Sequence, residues 1–452
     1  MKFYNRQREL GDLRELYRQA GDSARMTVIT GRRRVGKTAL ALELTKPSKH
    51  LYLFVSKKSE SLLCLEYLED IRKQFEVPVV GEIKSFKDIF LLLLELSRKE
   101  RFSLILDEFQ EFHNINPAVY SEIQHLWDVH KAGCRLNLIC IGSVYSLMHR
   151  IFEEKREPLF GRADRILMLK PFPVRTIRDV LADHGVTEIG SLFDTYVLTG
   201  GMPKYLDLLA GNSKLTLESM LDFILQADSP FINEGRNLLV EEFGKDHGTY
   251  FSIMELISLG KTARTEIESL LEADVGGYLE RLERDFGMIS KHKPIHAKPN
   301  SRVQKYRISD NFLNFWFRFI HRNRSAVETG NFSYVRDVIR RDYPTYCGLL
   351  LEKCFHELFA ETQKYNRIGS YWERGNQNEI DLVAINDLKK VIVLADIKLN
   401  KDRLDLEALK RRAERLLAVY PRYQSEWLGL STGNIADYLP GGGTGEENRR
   451  PA

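Results

Sequence analysis

Five short apolar runs in the first part of the chain constrain the fold more than any other feature of the sequence. They are rich in β-branched and large apolar residues, they lack polar alternation, and helical patterns separate them. A strand without polar alternation is buried on both faces, as is typical of a parallel sheet that helices cover on both sides. The sequence therefore predicts an α/β fold with a parallel sheet in residues 1–172. The runs cover residues 26–30, 51–55, 103–106, 138–141 and 166–169.

The rest of the chain divides into smaller units by its pattern. Residues 173–240 contain helical patterns only, and residues 241–325 contain three helices followed by two short extended runs around a basic loop. The second order is typical of a winged helix-turn-helix. Residues 326–439 begin with a long apolar helix and continue into strands and another helix, which predicts a small separate α/β domain. The Gly-rich, polar segment 440–452 is predicted to be disordered.

The composition is that of an ordinary globular protein. Of the 452 residues, 43% are hydrophobic and 29% are charged, which excludes a disordered or collagen-like chain. Lys and Arg number 67 against 63 Asp and Glu, a balance too even to indicate nucleic acid or an anionic membrane by itself. The five cysteines are an odd number without a CxxC pair. With a polar N-terminus and apolar runs too short for a bilayer, they predict a soluble protein of a reducing cytoplasm, without a membrane partner.

A glycine-rich motif follows directly after the first predicted strand. It reads GRRRVGKT over residues 31–38 and leads into the helical run ALALEL. The glycines Gly31 and Gly36 let backbone N–H groups surround a phosphate. Lys37 then meets the β and γ oxygens, and the Thr38 hydroxyl binds Mg²⁺. The alternative is a chance Gly-Lys turn, and the strand before the motif and the helix after it argue against chance. The motif predicts binding of ATP with Mg²⁺.

Polar side chains follow the next two strands of the predicted core. Asp107 is expected to hold the Mg²⁺, and Glu108 is expected to orient the water that attacks the γ-phosphate. Ser143 ends the following strand, where we expect it beside Asp107 and close to the γ-phosphate. Further along, Arg162 and Arg165 are candidates to reach a γ-phosphate of this or a neighbouring subunit. Surface salt bridges are the alternative for both arginines.

Motifs along nearly the whole chain resemble one family. In chain order they read FYNRQREL, GRRRVGKT, LILDEFQEF, GSVYSLMHRIF, PLFGRADRI, TGGMPKYL, YRISDNFLNFWFRF, EIDLVA and DIK. Together they resemble the archaeal-type AAA+ ATPases, found also in bacteria, that carry a C-terminal nuclease-like domain. The resemblance implies that the first unit is a P-loop AAA+ ATPase core and that the helical segment after it is a lid, which contains the turn 200–204. It also implies that Asn5 and Arg6 lie near the adenine and that Arg162 is the arginine finger.

The hairpin of the predicted winged helix is strongly basic. Residues 288–307 contain six Lys and Arg and no acid. Such a hairpin is typical of a wing that contacts DNA phosphates. In the helix before it, acids alternate with the arginines, which argues against the reading of bases in a groove. An interdomain or oligomer contact is the alternative use of the hairpin. Its cations are Lys291, Lys293, Lys298, Arg302, Lys305 and Arg307.

An acidic pattern in the last domain predicts a second site for a divalent metal. Asp381 and the pair Asp396 and Lys398 stand on two predicted strands of one hairpin, and strand alternation turns Asp396 and Lys398 to the same face. Carboxylates there can bind the metal, and the lysine can activate water. The pattern resembles the PD-(D/E)xK nuclease core, a restriction-endonuclease-like α/β domain, with Glu352 on the preceding helix as a further acid. An ordinary solvated strand face, or an inert binding module of the same fold, is the alternative.

These patterns together predict an AAA+ ATPase that hydrolyses ATP with Mg²⁺ and couples this cycle to DNA binding. Metal-dependent DNA cleavage is the further activity that the C-terminal pattern indicates. Two alternatives stay open. One is a nucleotide-driven switch whose C-terminal part binds a partner protein, and the other is a DNA-binding regulator with an inert nuclease-like domain. A homo-oligomer is compatible with each of them.

Overall fold

A computed structural model of the chain describes residues 2–76, 83–243, 247–298, 301, 303–373, 375 and 377–439. It contains two compact units. One is Tyr4–Pro171, and the other is Phe172–Ala452 together with Met1–Phe3. Arg302 of the basic hairpin and the segment 440–452 lie outside the described residues. The finer division of the second unit into lid, winged helix and C-terminal domain stays a prediction.

The first unit contains a sheet of five strands that all run parallel. The strands are β1 (Arg25–Gly31), β2 (His50–Phe54), β3 (Phe102–Asp107), β4 (Leu136–Ile141) and β5 (Arg165–Leu169). Their order across the sheet is β2-β3-β4-β1-β5. Each strand begins and ends within two residues of a predicted apolar run. The predicted parallel α/β sheet is therefore confirmed.

Helices of the first unit bury the three inner strands of this sheet. The edge strands β2 and β5 are buried on one face only, contrary to their apolar sequences, and leave Phe54, Ile166 and Met168 exposed. β3 and β4 are buried along their whole length, as their continuous apolar sequences require. Large side chains such as Phe90, Phe109 and Trp127 join the strands in one hydrophobic cluster. The carboxyl ends of parallel strands meet at one edge, so the loops after β1, β3 and β4 can form a common site. The helices are α1 (Gln7–Gln19), α2 (Lys37–Thr45), α3 (Glu60–Phe75), α4 (Phe86–Lys99), α5 (Phe112–Ile115), α6 (Ala118–His130) and α7 (Tyr145–Glu153).

The second unit begins with helices and continues through a small hairpin. The hairpin consists of the antiparallel strands β6 (Ile289–His292) and β7 (Lys305–Ile308). The aromatic run after it is buried at Phe312, Phe315 and Phe319, which confirms the prediction that it belongs to the core. The helices up to this point are α8 (Val174–Asp183), α9 (Ile189–Thr199), α10 (Pro203–Gly211), α11 (Leu217–Ile224), α12 (Glu234–Phe243), α13 (His247–Ser258), α14 (Arg264–Leu271), α15 (Gly276–Arg284) and α16 (Asn311–Phe315).

A second sheet of four strands lies in the C-terminal part of this unit. After α17 (Arg324–Glu328) and the long α18 (Phe332–Glu361), its strands are β8 (Arg367–Tyr371), β9 (Ile380–Asn386), β10 (Val391–Ile397) and β11 (Gln424–Leu430). β8, β9 and β10 pair antiparallel, and β10 pairs with β11 in parallel. The crossover from β10 to β11 contains α19 (Leu406–Ala418), which begins after Asp405 because that side chain accepts the N–H of Ala408.

Two smaller expectations can be compared with this fold. All five cysteines are free and buried, as expected of small core residues. Among the helices in the described part of the chain, none is both long and apolar enough to cross a membrane.

Candidate nucleotide site and C-terminal acidic site

The loop between β1 and α2 requires glycine at two positions. Gly31 has a φ of 137°, and a Cβ there would lie 2.6 Å from the carbonyl oxygen of Leu169. Gly36, with a φ of 90°, directly precedes α2, and no side chain caps that helix. The first N–H groups of α2 therefore have no side-chain acceptor at the cap, which is the arrangement that receives a phosphate in loops of this kind.

Lys37 is the first residue of α2 and folds back over the loop. Its Nζ donates to the carbonyl oxygen of Gly31 at 2.9 Å and to that of Arg32 at 3.0 Å. The residue is buried. The loop that the motif predicts to bind phosphate therefore holds an ammonium group on its inner side.

The residues predicted to hold Mg²⁺ are in direct contact. Thr38 Oγ1 donates to Asp107 Oδ2 at 2.6 Å, and the Tyr52 hydroxyl donates to the same oxygen at 2.9 Å. Burial, and after it the negative charge of Asp107, raises the pKa of Tyr52, so this hydroxyl remains a donor at neutral pH. The structure thus joins the start of α2, the end of β3 and the neighbouring strand β2 at one carboxylate.

Glu108 lies beside this junction and is held by two donors. Ser143 Oγ donates to Glu108 Oε2 at 2.6 Å, and Gln110 Nε2 donates to the same oxygen at 2.5 Å. The Glu108 N–H donates to Asp107 Oδ1 at 2.9 Å, and the residue has a positive φ of 55°. The structure therefore brings Glu108, Ser143 and Asp107 together at the ends of β3 and β4, as the strand pattern predicted.

Of the two N-terminal residues predicted in the site, Arg6 contacts the phosphate loop and Asn5 contacts Arg6. Asn5 Oδ1 accepts the N–H of Arg6 at 2.8 Å. The Arg6 guanidinium donates to the carbonyl oxygen of Val35 at 3.5 Å and to that of Lys170 at 2.5 Å, and it pairs with Glu9 at 3.1 Å. Burial is the main cause that lowers the pKa of Arg6. Arg6 thus ties the start of the chain to the loop, and its place near the adenine stays a prediction.

The two arginines proposed to reach a γ-phosphate form ion pairs within this chain. Arg162 Nη2 lies 3.1 Å from Asp128 Oδ2 on α6, and its Nη1 donates to the Phe160 carbonyl oxygen at 2.9 Å. Arg165 pairs with Asp12 on α1. These contacts are the surface ion pairs considered as the alternative role. Action of Arg162 on a neighbouring subunit stays a prediction.

Three of the four residues predicted in the C-terminal site lie together. Asp381 and Asp396 are 7% and 2% exposed. Lys398 Nζ joins them, at 2.8 Å from Asp381 Oδ2 and 3.3 Å from Asp396 Oδ1, and Arg412 of α19 lies 2.8 Å from Asp396 Oδ1. Burial lowers the pKa of Lys398, but the hydrogen bond and charge of Asp381, with those of Asp396, outweigh it and leave this pKa raised. Lys398 is therefore protonated at neutral pH and lies between two carboxylates.

Glu352, the fourth predicted residue, contacts a cation of the hairpin instead. Its Oε2 lies 3.2 Å from Arg307 Nη2 on β7. Burial raises the pKa of Glu352 to about 7, although Arg307 acts to lower it. In the part of the chain that the structure describes, no three His, Cys, Asp or Glu side chains form a group that could hold a metal ion. The site therefore consists of two carboxylates and a lysine, with the third acid held by an arginine.

Acids also neutralise other cations of the basic hairpin. Lys305 on β7 lies 2.8 Å from Glu379, next to the acidic site, and Lys291 on β6 lies 2.6 Å from Glu283 on α15. With Arg307 bound to Glu352, β7 thus contacts the C-terminal domain through two ion pairs. These contacts favour the interdomain use of the hairpin over a fully solvated wing.

Three side chains in the two sites escaped the sequence analysis: Tyr52, Gln110 and Arg412. Gln110 carried a usable signal, because it is a polar residue only two positions after Glu108 in LILDEFQEF, directly after Phe109. Tyr52 and Arg412 gave none, since their contacts depend on which strand or helix packs beside them.

Two family models match the chain. Residues 3–209 match a model described as an ATPase domain predominantly from Archaea. Residues 316–414 match a model described as Archaea bacterial proteins of unknown function. The first match contains the whole nucleotide site, and the second contains the four predicted acidic-site residues and Arg412.

Individual proteins are similar over much of the chain. An uncharacterized protein of Methanocaldococcus jannaschii is 30% identical over 419 residues, which is 90% of each sequence. The solved structure of a Walker-type ATPase of Pyrococcus abyssi superimposes with a TM-score of 0.53 at 18% identity, over 70% of this chain and 96% of that one. The ORC2 protein of Aeropyrum pernix, solved in ADPNP-ADP complexes, has a TM-score of 0.48 at 16% identity, over 73% and 95% of the two chains.

Proposed function

Because the chain belongs to a family of ATPases found predominantly in archaea, whose C-terminal domain has no known function, we propose that it uses Mg²⁺ to hydrolyse ATP and thereby controls DNA binding by its second unit. ATP hydrolysis by a P-loop ATPase follows from the family itself. The observation that carries the Mg²⁺-dependent hydrolysis is the 2.6 Å hydrogen bond between Thr38 and Asp107, which joins the phosphate loop to the end of β3.

The side chains at this junction fit a Mg²⁺ ion. Thr38 and Asp107 offer the hydroxyl and carboxylate oxygens that Mg²⁺ prefers, and Tyr52 orients the carboxylate through its hydrogen bond. When bound with ATP, Mg²⁺ neutralises charge on the β- and γ-phosphates. Lys37 adds a second positive charge from the loop side, where the carbonyl oxygens of the loop hold it in place.

Glu108 is proposed to orient the attacking water and to accept its proton. Ser143 and Gln110 both donate to Oε2, so the other oxygen of the carboxylate keeps its capacity to accept a proton. The Asp107 carboxylate accepts the N–H of Glu108 and so restrains the backbone at Glu108. These contacts support a division of labour in which Asp107 serves the metal and Glu108 serves the water.

DNA binding is the proposed output of the second unit, and the loop of the basic hairpin supports it. Lys291, Lys305 and Arg307 are already paired with acids. Lys298 is exposed, and none of the residues in the described ranges forms an ion pair with it. A phosphate contact of this hairpin is therefore proposed at Lys298, between the two strands.

Replacing Lys298 by glutamine is expected to weaken DNA binding. Loss of a phosphate contact should also reduce the salt dependence of DNA binding. The slope of the logarithm of the DNA-binding constant against the logarithm of the salt concentration should fall by about one, because fewer counterions are released. Fluorescence anisotropy of a labelled duplex, titrated at several salt concentrations with ATP and Mg²⁺ present, measures both quantities.

Lys291→Gln is the matched control, because Glu283 already neutralises Lys291 and a phosphate gains little there. We expect this variant to bind DNA like the wild type. An unchanged affinity and slope in the Lys298→Gln variant would exclude the proposed phosphate contact of the hairpin loop. A wild-type protein that hydrolyses ATP but binds no DNA would instead favour a nucleotide-driven switch for a partner protein.

Metal-dependent phosphodiester cleavage is the second candidate function. Its supporting observation is the position of Lys398 between Asp381 and Asp396, with one oxygen of each carboxylate left without a donor among the described residues. A divalent metal held by these oxygens would polarise a phosphate, and Lys398 would steady the negative charge that develops on it. A regulator with an inert nuclease-like domain is the competing function, because Arg412 and Lys398 already neutralise the two acids.

A further inference from the structure

Gln110 makes a contact that none of the predicted roles includes. Its Nε2 donates to Glu108 Oε2 at 2.5 Å, the same oxygen that accepts Ser143 Oγ at 2.6 Å. None of the residues in the described ranges donates to Oε1 of Glu108. One oxygen of the carboxylate therefore has two donors, and the other has no donor in the part of the chain that the structure describes.

The surroundings of Gln110 hold its side chain in one place. The residue is 1% exposed, and the Tyr120 hydroxyl donates to its backbone carbonyl oxygen at 3.2 Å. Gly142 leaves room for the amide, since a Cβ at Gly142 would lie 2.6 Å from Gln110 Oε1. A side chain with so little space cannot follow Glu108 if the carboxylate rotates.

The orientation of the amide follows from the charge of its partner. An ionised carboxylate only accepts hydrogen bonds, so the amide nitrogen of Gln110 has to face Glu108. Gln110 Oε1 is buried and receives no hydrogen bond from any residue that the structure describes. A buried acceptor without a donor is unfavourable, and this cost is tolerated here while the amide nitrogen holds Glu108.

We propose that Gln110 is a positioning residue which, with Ser143, fixes Oε2 of Glu108 so that Oε1 faces the attacking water. The inference rests on the proposed role of Glu108. In the step concerned, the water oxygen bonds to the γ-phosphorus, and the bond from this phosphorus to the β–γ bridging oxygen breaks. ADP leaves with that electron pair, and Glu108 Oε1 takes the water proton.

Gln110→Leu is the main test, because leucine has a side chain of similar size but no hydrogen-bond donor. We expect kcat to fall about 10- to 100-fold, the scale of a catalytic group displaced by about 1 Å. The dissociation constant for ATP should stay at its wild-type value, since Gln110 contacts neither the loop nor Thr38. Steady-state ATPase assays and nucleotide titration measure the two quantities separately.

Gln110→Glu supplies a readout that a purely structural role would not change. A second carboxylate beside Glu108 favours protonation of one of the two, so the acidic limb of the kcat profile should move to higher pH. Asn114→Leu is the matched control, because the exposed Asn114 makes the same kind of amide contact, at 3.2 Å to the half-buried Glu111, away from Glu108. We expect its kcat and pH profile to equal those of the wild type.

The variant Glu108→Gln separates the inference from the function on which it rests. If Glu108→Gln keeps full turnover, the proposed role of Glu108 is wrong. If Glu108→Gln loses turnover while Gln110→Leu and Gln110→Glu keep the wild-type kcat and pH profile, only the positioning role of Gln110 is overturned. In the Glu108→Gln background, Gln110→Leu should reduce kcat little further, because there is then no carboxylate to position.

Discussion

Replacing Lys37 by alanine is expected to abolish tight binding of ATP. The ammonium group lies inside the phosphate loop, 2.9 Å from the carbonyl oxygen of Gly31. Removal of a buried, hydrogen-bonded charge from a binding site costs about 2 kcal/mol or more, which is about a 30-fold loss of affinity. Titration of the full-length protein with a fluorescent ATP analogue and Mg²⁺ measures this loss.

Glu108→Gln is the informative comparison, because it should separate binding from turnover. The amide still accepts from Ser143 but cannot take a proton from water, so kcat should fall by about 10²- to 10⁴-fold at an unchanged affinity for ATP. Glu111→Gln, in the same motif and in contact with Asn114, should retain turnover. Equal losses of ATP affinity in Lys37→Ala and Glu108→Gln would mean that Glu108 supports the loop structurally and does not act on water.

Mn²⁺ is expected to stabilise the full-length protein without nucleotide, and Asp381→Asn is expected to remove this effect. Two buried carboxylates that share one lysine gain a further counter-charge when they bind a metal, and a bound metal stabilises only the folded chain. At a metal concentration of about 100 times Kd, the gain is about 2.7 kcal/mol. Melting curves of each protein with and without Mn²⁺ measure it, beside a plasmid nicking assay.

Because each variant is compared with and without Mn²⁺, the effect of the substitution itself on stability cancels. The asparagine oxygen can still accept from Lys398 and from the Ile397 N–H, so we expect Asp381→Asn to fold and to hydrolyse ATP. Asp402→Asn, an exposed position of the same domain, should keep the wild-type response to Mn²⁺. Arg307→Gln removes the arginine that pairs with Glu352, so that this fourth residue of the predicted site is available to a metal. No shift and no nicking, in either the wild type or Arg307→Gln, would identify the domain as a binding module without a nuclease site.

The features that depend on short stretches of the chain could be predicted from the amino-acid sequence alone. Continuous apolar runs of four or five residues are typical of strands in a helix-covered sheet, so the five parallel strands could be predicted nearly to their ends. That the edge strands β2 and β5 bury only one face could not be predicted from these runs. The phosphate loop could be predicted for a similar reason. Gly31 and Gly36 adopt backbone angles that other residues avoid, and Lys37 and Thr38 follow them at a spacing set by the start of α2.

The sequence also predicted that residues at the ends of different strands lie close together. Asp107 and Ser143 each follow a buried run, and parallel strands end at one edge of a sheet, so their proximity was predicted. In the C-terminal domain, the two-residue period of a strand placed Asp396 and Lys398 on one side. The observed distance of 3.3 Å between their charged groups agrees with that expectation.

The cations and hydrogen-bond donors that surround the site residues depend on the tertiary structure and could not be predicted. Arg307 meets Glu352, and Arg412 meets Asp396, because separate elements of the second unit pack together. Tyr52 reaches Asp107 because β2 is the strand that pairs with β3. Such contacts join residues far apart in the chain, and no local propensity encodes them. A sequence pattern can therefore predict which residues carry charge or bind phosphate, but the packing of the elements decides which charges are already neutralised when a ligand arrives.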